Sequence, residues 1–130
     1  MSRHLFQIAL IVPEYDEAIK YYTETLSFRL LEDTDRGNGK RWVVVSPGEE
    51  DSCRILLAKA KNEEQKAAIG NQCGGRVFLF LHTNDFQRDF DHYVSMGVTI
   101  IDKPREEEYG RVVVFVDKYG HKWDLIEPVG

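Results

Sequence analysis

The stretch Arg76-Val-Phe-Leu-Phe-Leu-His82 opens a segment that runs to Asp124 and repeats the plan of the first half of the chain. In each half, an apolar run is followed by a helical stripe and then by three further β-rich runs. Matching positions lie 68 to 70 residues apart: Gln7 precedes Arg76 by 69 residues, and Leu56 precedes Asp124 by 68. Two repeats are too few for a solenoid, so the pattern indicates one duplicated domain.

The repeat also sets the boundaries within the 130-residue chain. Module one spans residues 4–60, a connector spans 61–75 and module two spans 76–128 of a single domain. The patterns predict an α+β fold in which two tandem βαβββ modules form curved mixed sheets around a cavity. Polar stretches predict a turn at 46–51 and loops at 32–40 and 103–110.

Composition excludes several classes of function. A net charge of −5 argues against a general nucleic-acid binder, which needs a basic surface. No apolar run approaches the roughly 18 residues of a membrane span, and the first residues lack the apolar core of a signal peptide. Cys53 and Cys73 are too few for a disulfide framework. We therefore expect a cytoplasmic protein with reduced thiols, without nucleic-acid or membrane partners.

Four positions related by the repeat are candidates for a site. Gln7 and Arg76 open the first strand of each module, and Leu56 and Asp124 lie in the last strand. If each module forms a curved sheet, the four side chains face one cavity, where small ligands usually bind. Three further residues share these faces and complete the candidate ligand set: Arg54, Phe78 and Phe80.

The chain resembles the vicinal oxygen chelate superfamily, which includes glyoxalase I, bleomycin-resistance proteins and extradiol dioxygenases. The resemblance rests on the repeated plan, on the run from Ala18 to Phe28, on Val114-Phe-Val-Asp-Lys-Tyr-Gly120 and on Trp123-Asp-Leu-Ile-Glu127. It covers nearly the whole chain and implies a glyoxalase-like domain. The resemblance does not identify the reaction, because proteins with this fold catalyse many different reactions.

In metal-dependent members of the family, the ligands come from the four repeat-related positions. In glyoxalase I they are His or Gln, Glu, His or Gln, and Glu. Gln7 and Asp124 match the first and fourth positions, but Leu56 cannot bind a metal and the permanent charge of Arg76 would repel one. Extradiol dioxygenases need two histidines and a carboxylate, and none of the four positions is His. No metal site or other cofactor is therefore expected, with a divalent metal as the alternative.

Two interpretations of the polar residues stay open. Arg76 and Asp124 could form an ion pair across the cavity. Alternatively Arg76, with Arg54, holds an oxyanion or carbonyl oxygen of a ligand while Asp124 orients the guanidinium. His82 ends the Arg76–Phe80 face and is a candidate catalytic acid or base, or else a structural hydrogen-bond partner.

These residues support three hypotheses about function. The first is a metal-free protein that binds a small oxyanion- or carbonyl-bearing molecule. The second is a metal-dependent lyase or isomerase of glyoxalase I (lactoylglutathione lyase) type, which fits the residues better than an extradiol dioxygenase. The third is a structural domain without a ligand. In each case we expect a homodimer, since most soluble oligomers are two-fold. The sequence names neither the ligand nor a reaction.

Overall fold

The chain divides into two units in the computed structural model, which describes residues 1–48 and 52–130. The first unit is Met1–Ile69 and the second is Gly70–Gly130. No helix among the described residues is long and apolar enough to cross a membrane. The turn predicted at 46–51 falls partly on residues 49–51, which lie outside the described part of the chain.

The described part of the first unit contains four strands and two helices. In chain order they are β1 (Gln7–Val12), α1 (Tyr15–Lys20), which continues as a π-helical segment (Tyr21–Thr25), β2 (Arg29–Gly37), β3 (Lys40–Ser46), β4 (Arg54–Lys59) and α2 (Glu63–Ala68). The strand order in the sheet is β1-β4-β3-β2, with β1 parallel to β4 and the other pairs antiparallel.

One face of this sheet is buried, whereas β1 and β4 are partly exposed on the other face. Leu10, Val12 and Leu57 are fully buried, as are Ala18 and Tyr22 of the helical stripe. Because strand side chains alternate between faces, the neighbouring positions of β1 and β4 point the other way. We call this the open face of the first sheet, defined by these residues of β1 and β4: Gln7, Ala9, Arg54 and Leu56.

The second unit repeats the plan with one extra short strand. Its elements are β5 (Leu79–His82), α3 (Phe86–Ser95), β6 (Thr99–Ile100), β7 (Arg105–Glu107), β8 (Gly110–Val116) and β9 (Lys122–Pro128). The sheet runs β5-β9-β8-β6, and β7 pairs with β8. Again only the pair made by the first and last strands, β5 and β9, is parallel.

Aromatic side chains fill the core between α3 and the second sheet. The Phe115 ring stacks on Trp123 at 5.6 Å between centroids, and Tyr93 of α3 lies on Phe115 at 5.0 Å. By alternation, Val114 and Asp124 lie on the opposite side of β8 and β9. Together with Phe80, which pairs with Asp124 on β5, they define the open face of the second sheet.

The predicted α+β fold with mixed sheets is confirmed. Two predicted loops are wrong. Residues 32–40 belong to a hairpin, in which β2 and β3 turn through Asn38 and Gly39, both with positive φ. Asn-Gly suits such a turn, because both central residues must adopt left-handed backbone. In the second unit, the loop predicted at 103–110 contains β7.

Candidate functional site

A cavity of about 500 Å³ lies within the first unit, between the start of β3 and the end of β4. Its walls combine aromatic and aliphatic side chains with amides and cations. The lining residues are Tyr15, Asn38, Gly39, Lys40, Arg41, Trp42, Leu56, Leu57, Ala58, Lys59, Ala60, Lys61 and Gln65. Pockets of this size and make-up are typical of small-ligand sites.

The cavity exists because β3 and β4 separate early. Only two residue pairs join them, Val44 with Leu56 and Val45 with Ile55. Beyond these pairs, the backbone N–H of Arg41 donates instead to the hydroxyl of Tyr15, at 3.2 Å. The Tyr15 side chain, buried at the start of α1, therefore satisfies a β3 group that receives no β4 partner, and a gap remains between the two strands.

Among the described residues, the lining carries four cations and no acid. Arg41 is held by Asp33 at 2.7 Å and by Asp16 at 2.8 Å, and Lys59 pairs with Glu14 at 3.2 Å. The hydrogen bonds from Arg41 lower the pKa of Asp33, so that carboxylate stays ionised. Two further cations make no ion pair with any described residue: Lys40 and Lys61. They leave a surplus of positive charge at the cavity.

Gln7 and Arg54 lie side by side on the open face of the first sheet, as register partners on β1 and β4. The Nε of Arg54 is buried and has no hydrogen-bond partner in the described part of the chain. Leu56, two residues further along the same strand face, lines the cavity. The structure thus brings Gln7, Arg54 and Leu56 onto one surface that leads to the cavity.

Arg76 does not occupy its predicted place. It is exposed and precedes β5, which begins only at Leu79. Phe80 is the register partner of Asp124, as Ala9 is of Leu56, so Phe78 takes the place that corresponds to Gln7. The predicted equivalence of Gln7 with Arg76 is therefore wrong by two residues. A constant spacing between the two modules did not place β1 and β5 at equivalent positions.

Asp124 is buried, 8% exposed, in the middle of β9. Burial raises the pKa of this carboxyl group, because it disfavours the ionised form; Arg105 opposes the rise and Asp102 adds to it. The cation that acts on Asp124 is thus Arg105 rather than Arg76. Its guanidinium pairs with Asp102 and, at 2.9 Å, with Glu107.

His82 closes β5 opposite Ile126 and is exposed. Alternation puts it on the open face of the second sheet together with Phe80. Its role as an acid or base stays a prediction.

The residues at the family's metal positions do not fit a metal site. Neither Leu56 nor Phe78, which takes the place that corresponds to Gln7, offers an atom that can bind a metal, and Arg76 is a cation that lies outside the sheet. Among residues 1–48 and 52–130, no group of three or more His, Cys, Asp or Glu side chains is arranged to hold an ion. Tight sites need about four such ligands, so we derive no chemistry through a metal.

The sequence patterns did not identify the cations and aromatic residues that line the cavity. They also did not identify Arg105 as the cation that acts on Asp124. Lysines at the ends of strands are common on surfaces, and nothing in the sequence shows that β3 and β4 separate. The Asn38-Gly39 dipeptide is the signal that could have placed the hairpin, and with it Lys40 and Trp42, beside the end of β4. Arg105 was hidden in a charged segment interpreted as a solvated loop.

Comparisons with known proteins agree with this architecture. An uncharacterized protein of Shewanella frigidimarina (strain NCIMB 400) is 48% identical over 98% of this chain and 95% of its own length. The crystal structure of UcmS2 superposes with a TM-score of 0.83 at 25% identity, covering 98% of this chain and 99% of that one. TnmS3, an antibiotic binding protein from Streptomyces sp. CB03234, superposes with a TM-score of 0.74 at 27% identity and 98% coverage of both chains.

The family profile gives the assignment directly. The family model described as "Glyoxalase/Bleomycin resistance protein/Dioxygenase superfamily" matches residues 4–125, which include all the candidate residues and every strand except the end of β9. The structural relatives carry the same name or fold, including a superfamily member from Sphaerobacter thermophilus DSM 20745 with a TM-score of 0.76 at 22% identity, covering 97% and 98% of the two chains. The chain belongs to the Glyoxalase/Bleomycin resistance protein/Dioxygenase superfamily.

Proposed function

We propose that this chain binds a small, oxyanion- or carbonyl-bearing organic molecule in the cavity of its first unit, without the family's metal site. The observation that carries the proposal is the cavity itself, about 500 Å³ in volume, with Trp42 in its wall and, among the described residues, four cations but no acid in its lining. Ligand sites combine an apolar wall with a few directed polar groups.

The polar groups suit an oxyanion or a carbonyl. Lys40 and Lys61 provide ammonium donors without an ion-pair partner, and the amide of Asn38 can donate or accept. Arg54 adds a guanidinium with a free buried Nε on the strand face that leads to the cavity. Binding of antibiotics by TnmS3 supports small-molecule binding by a similar domain.

The test uses one defined probe, 1-anilinonaphthalene-8-sulfonate, which joins an aromatic body to an oxyanion. We expect calorimetry to show saturable binding at one site per chain. The double variant Lys40→Gln/Lys61→Gln should weaken binding by about tenfold, since charged hydrogen bonds contribute roughly 1.5–3 kcal/mol. The control Lys20→Gln/Lys118→Gln changes the net charge equally, outside the cavity lining, and should leave the affinity within about twofold.

Two measurements separate the rival functions. Elemental analysis showing one nickel, zinc or iron per chain, lost in Gln7→Ala, would favour the glyoxalase I type of lyase. A panel of metabolites and antibiotics should raise the melting temperature, because ligands that bind only the native state stabilise it. If neither the panel nor the sulfonate probe binds, a structural domain without a ligand is the better description.

A further inference from the structure

The second unit contains a buried carboxylate, one oxygen of which lacks a hydrogen-bond partner among the described residues. Asp124 is 8% exposed, and its Oδ1 is buried and accepts no hydrogen bond from any described residue. Buried polar atoms are nearly always paired in folded proteins, and each exception requires an explanation. An unpaired carboxylate oxygen is costly, because it has lost water and gained no donor.

The neighbouring charges do not supply that donor. Arg105 is the cation that opposes the burial-induced rise in the pKa of Asp124. Its guanidinium is already engaged by Asp102 and Glu107. Asp102 is itself anchored, because its Oδ1 accepts the backbone N–H of Val114 at 2.8 Å. Three carboxylates therefore share one guanidinium, and the surplus charge at Asp124 is negative.

The surface beside Asp124 is apolar and accessible. Phe80, its register partner on β5, is 64% exposed, and Val114 flanks it on β8. The carboxylate thus lies between an exposed aromatic ring and an aliphatic strand position on the open face of the second sheet. Such a surface suits a group that carries both a positive charge and hydrocarbon, because cations bind well over aromatic faces.

We propose that Asp124 anchors a second binding site, which takes an organic ammonium group: the ligand N–H donates to Oδ1 of Asp124, and its hydrocarbon part packs on Phe80. An ammonium needs only one good acceptor and an apolar platform, whereas a divalent ion needs several ligands. The carboxylate at a metal position of the family is here available to an amine. The proposal does not depend on the cavity of the first unit.

The test compares benzylamine, which is protonated at neutral pH, with benzyl alcohol, which has the same ring and no charge. Backbone amide shifts of isotope-labelled full-length protein report the binding. We expect saturable shifts at Phe80 and Val114 with benzylamine and about tenfold weaker binding of benzyl alcohol, because a charged hydrogen bond is lost. Equal affinities for the two probes would overturn the proposal.

Variants identify the anchor. Asp124→Asn should reduce benzylamine affinity to that of benzyl alcohol, and the control Asp91→Asn, an exposed position on α3, should not change it. Phe80→Ala keeps the carboxylate and should also weaken binding, which provides a readout if Asp124→Asn folds poorly. Unchanged benzylamine binding in folded Asp124→Asn or in Phe80→Ala contradicts the site.

Discussion

At the scale of single residues, two charged side chains, one on β4 and one on β9, are unusual in their hydrogen bonding. Arg54 on β4 and Asp124 on β9 each bury one polar atom that makes no hydrogen bond with a described residue. The other buried side-chain nitrogen and oxygen atoms of the described residues have hydrogen-bond partners. Asp117, for example, accepts hydrogen bonds from the backbone of Tyr119 and from the indole of Trp123, each at 3.0 Å. Polar atoms left without a partner mark places where a ligand can contribute what the fold does not.

The pKa shift of Asp124 leads to a prediction about stability. Burial raises the pKa of this carboxyl group above its value in the unfolded chain, so the folded state holds the proton more tightly. The stabilisation is complete below the unfolded pKa, about 3.9, and is lost as the pH rises through the folded pKa. Asp124→Asn cannot ionise, so its stability relative to the wild type should increase between pH 4 and pH 7, by an amount on the order of 1 kcal/mol.

Urea unfolding followed by circular dichroism at both pH values measures this difference. Asp91→Asn, at an exposed position of α3, serves as the control and should show a difference close to zero at each pH. A relative stability of Asp124→Asn that falls from pH 4 to pH 7 would mean that the ionised carboxylate stabilises the fold, contrary to our account.

At the scale of secondary-structure elements, the closest backbone approach in the second sheet is at Gly110. This residue begins β8 opposite Pro128 with a φ of 151°, and a Cβ built on it would collide with the backbone oxygen of Glu127. Gly110→Ala should therefore lower the free energy of unfolding by at least about 2 kcal/mol, because the strand pair must shift to admit the methyl group.

The matched control is Gly97→Ala. Gly97 follows α3 with a φ of 79°, and nothing lies within 4 Å of a Cβ built there. The cost at Gly97 is therefore that of left-handed backbone alone, about 1–2 kcal/mol. Equal losses of unfolding free energy in the two variants would show that steric collision at Gly110 adds nothing to backbone strain.

The helices and strands could be predicted from the sequence, whereas the residues at which the strands begin could not. The periodicity of β1 and β9 and the cap of α2, where Asn62 accepts the N–H of Gln65 at 2.8 Å, follow from local chemistry. The start of β5 depends on its pairing with β9, which is a long-range contact. Counting residues between the modules therefore put Arg76, rather than Phe78, at the position equivalent to Gln7.

The candidate site was predictable only in part for the same reason. Arg54 and Leu56 share a strand face, which period-two alternation predicts locally, whereas the pairing of Arg54 with Gln7 depends on the register of β1 and β4. The cavity arises where β3 and β4 part and Tyr15 satisfies the backbone of Arg41, which no local pattern encodes. The local sequence around these lysines is typical of an exposed surface. It is the tertiary fold that places them at the cavity.

At the scale of the whole molecule, both sheets end in edge strands, which have a neighbouring strand of their own sheet on one side only in the described chain. In the described chain, β1 and β2 are the edges of the first sheet, and β5 is an edge of the second. Large apolar side chains are exposed at or just before two of these edges: Leu5 is 73% exposed, Phe6 56% and Phe80 64%. Open edges with apolar side chains favour pairing with another chain unless they are covered.

We therefore predict that the chain forms a homodimer. Two-fold pairing is the commonest way in which identical chains cover such edges, because one patch serves both partners. Light scattering coupled to size exclusion should give about twice the 15.1 kDa of one chain at high micromolar concentration.

Phe6→Asp places a charge beside the β1 edge and should shift the mass towards the monomer, since burying an unpaired charge is costly. Val94→Asp, at an exposed apolar position on α3 rather than at a sheet edge, should leave the dimer intact. A wild-type mass of one chain at the highest concentration would refute dimerisation, and an equal effect of the two variants would place the interface somewhere other than the β1 edge.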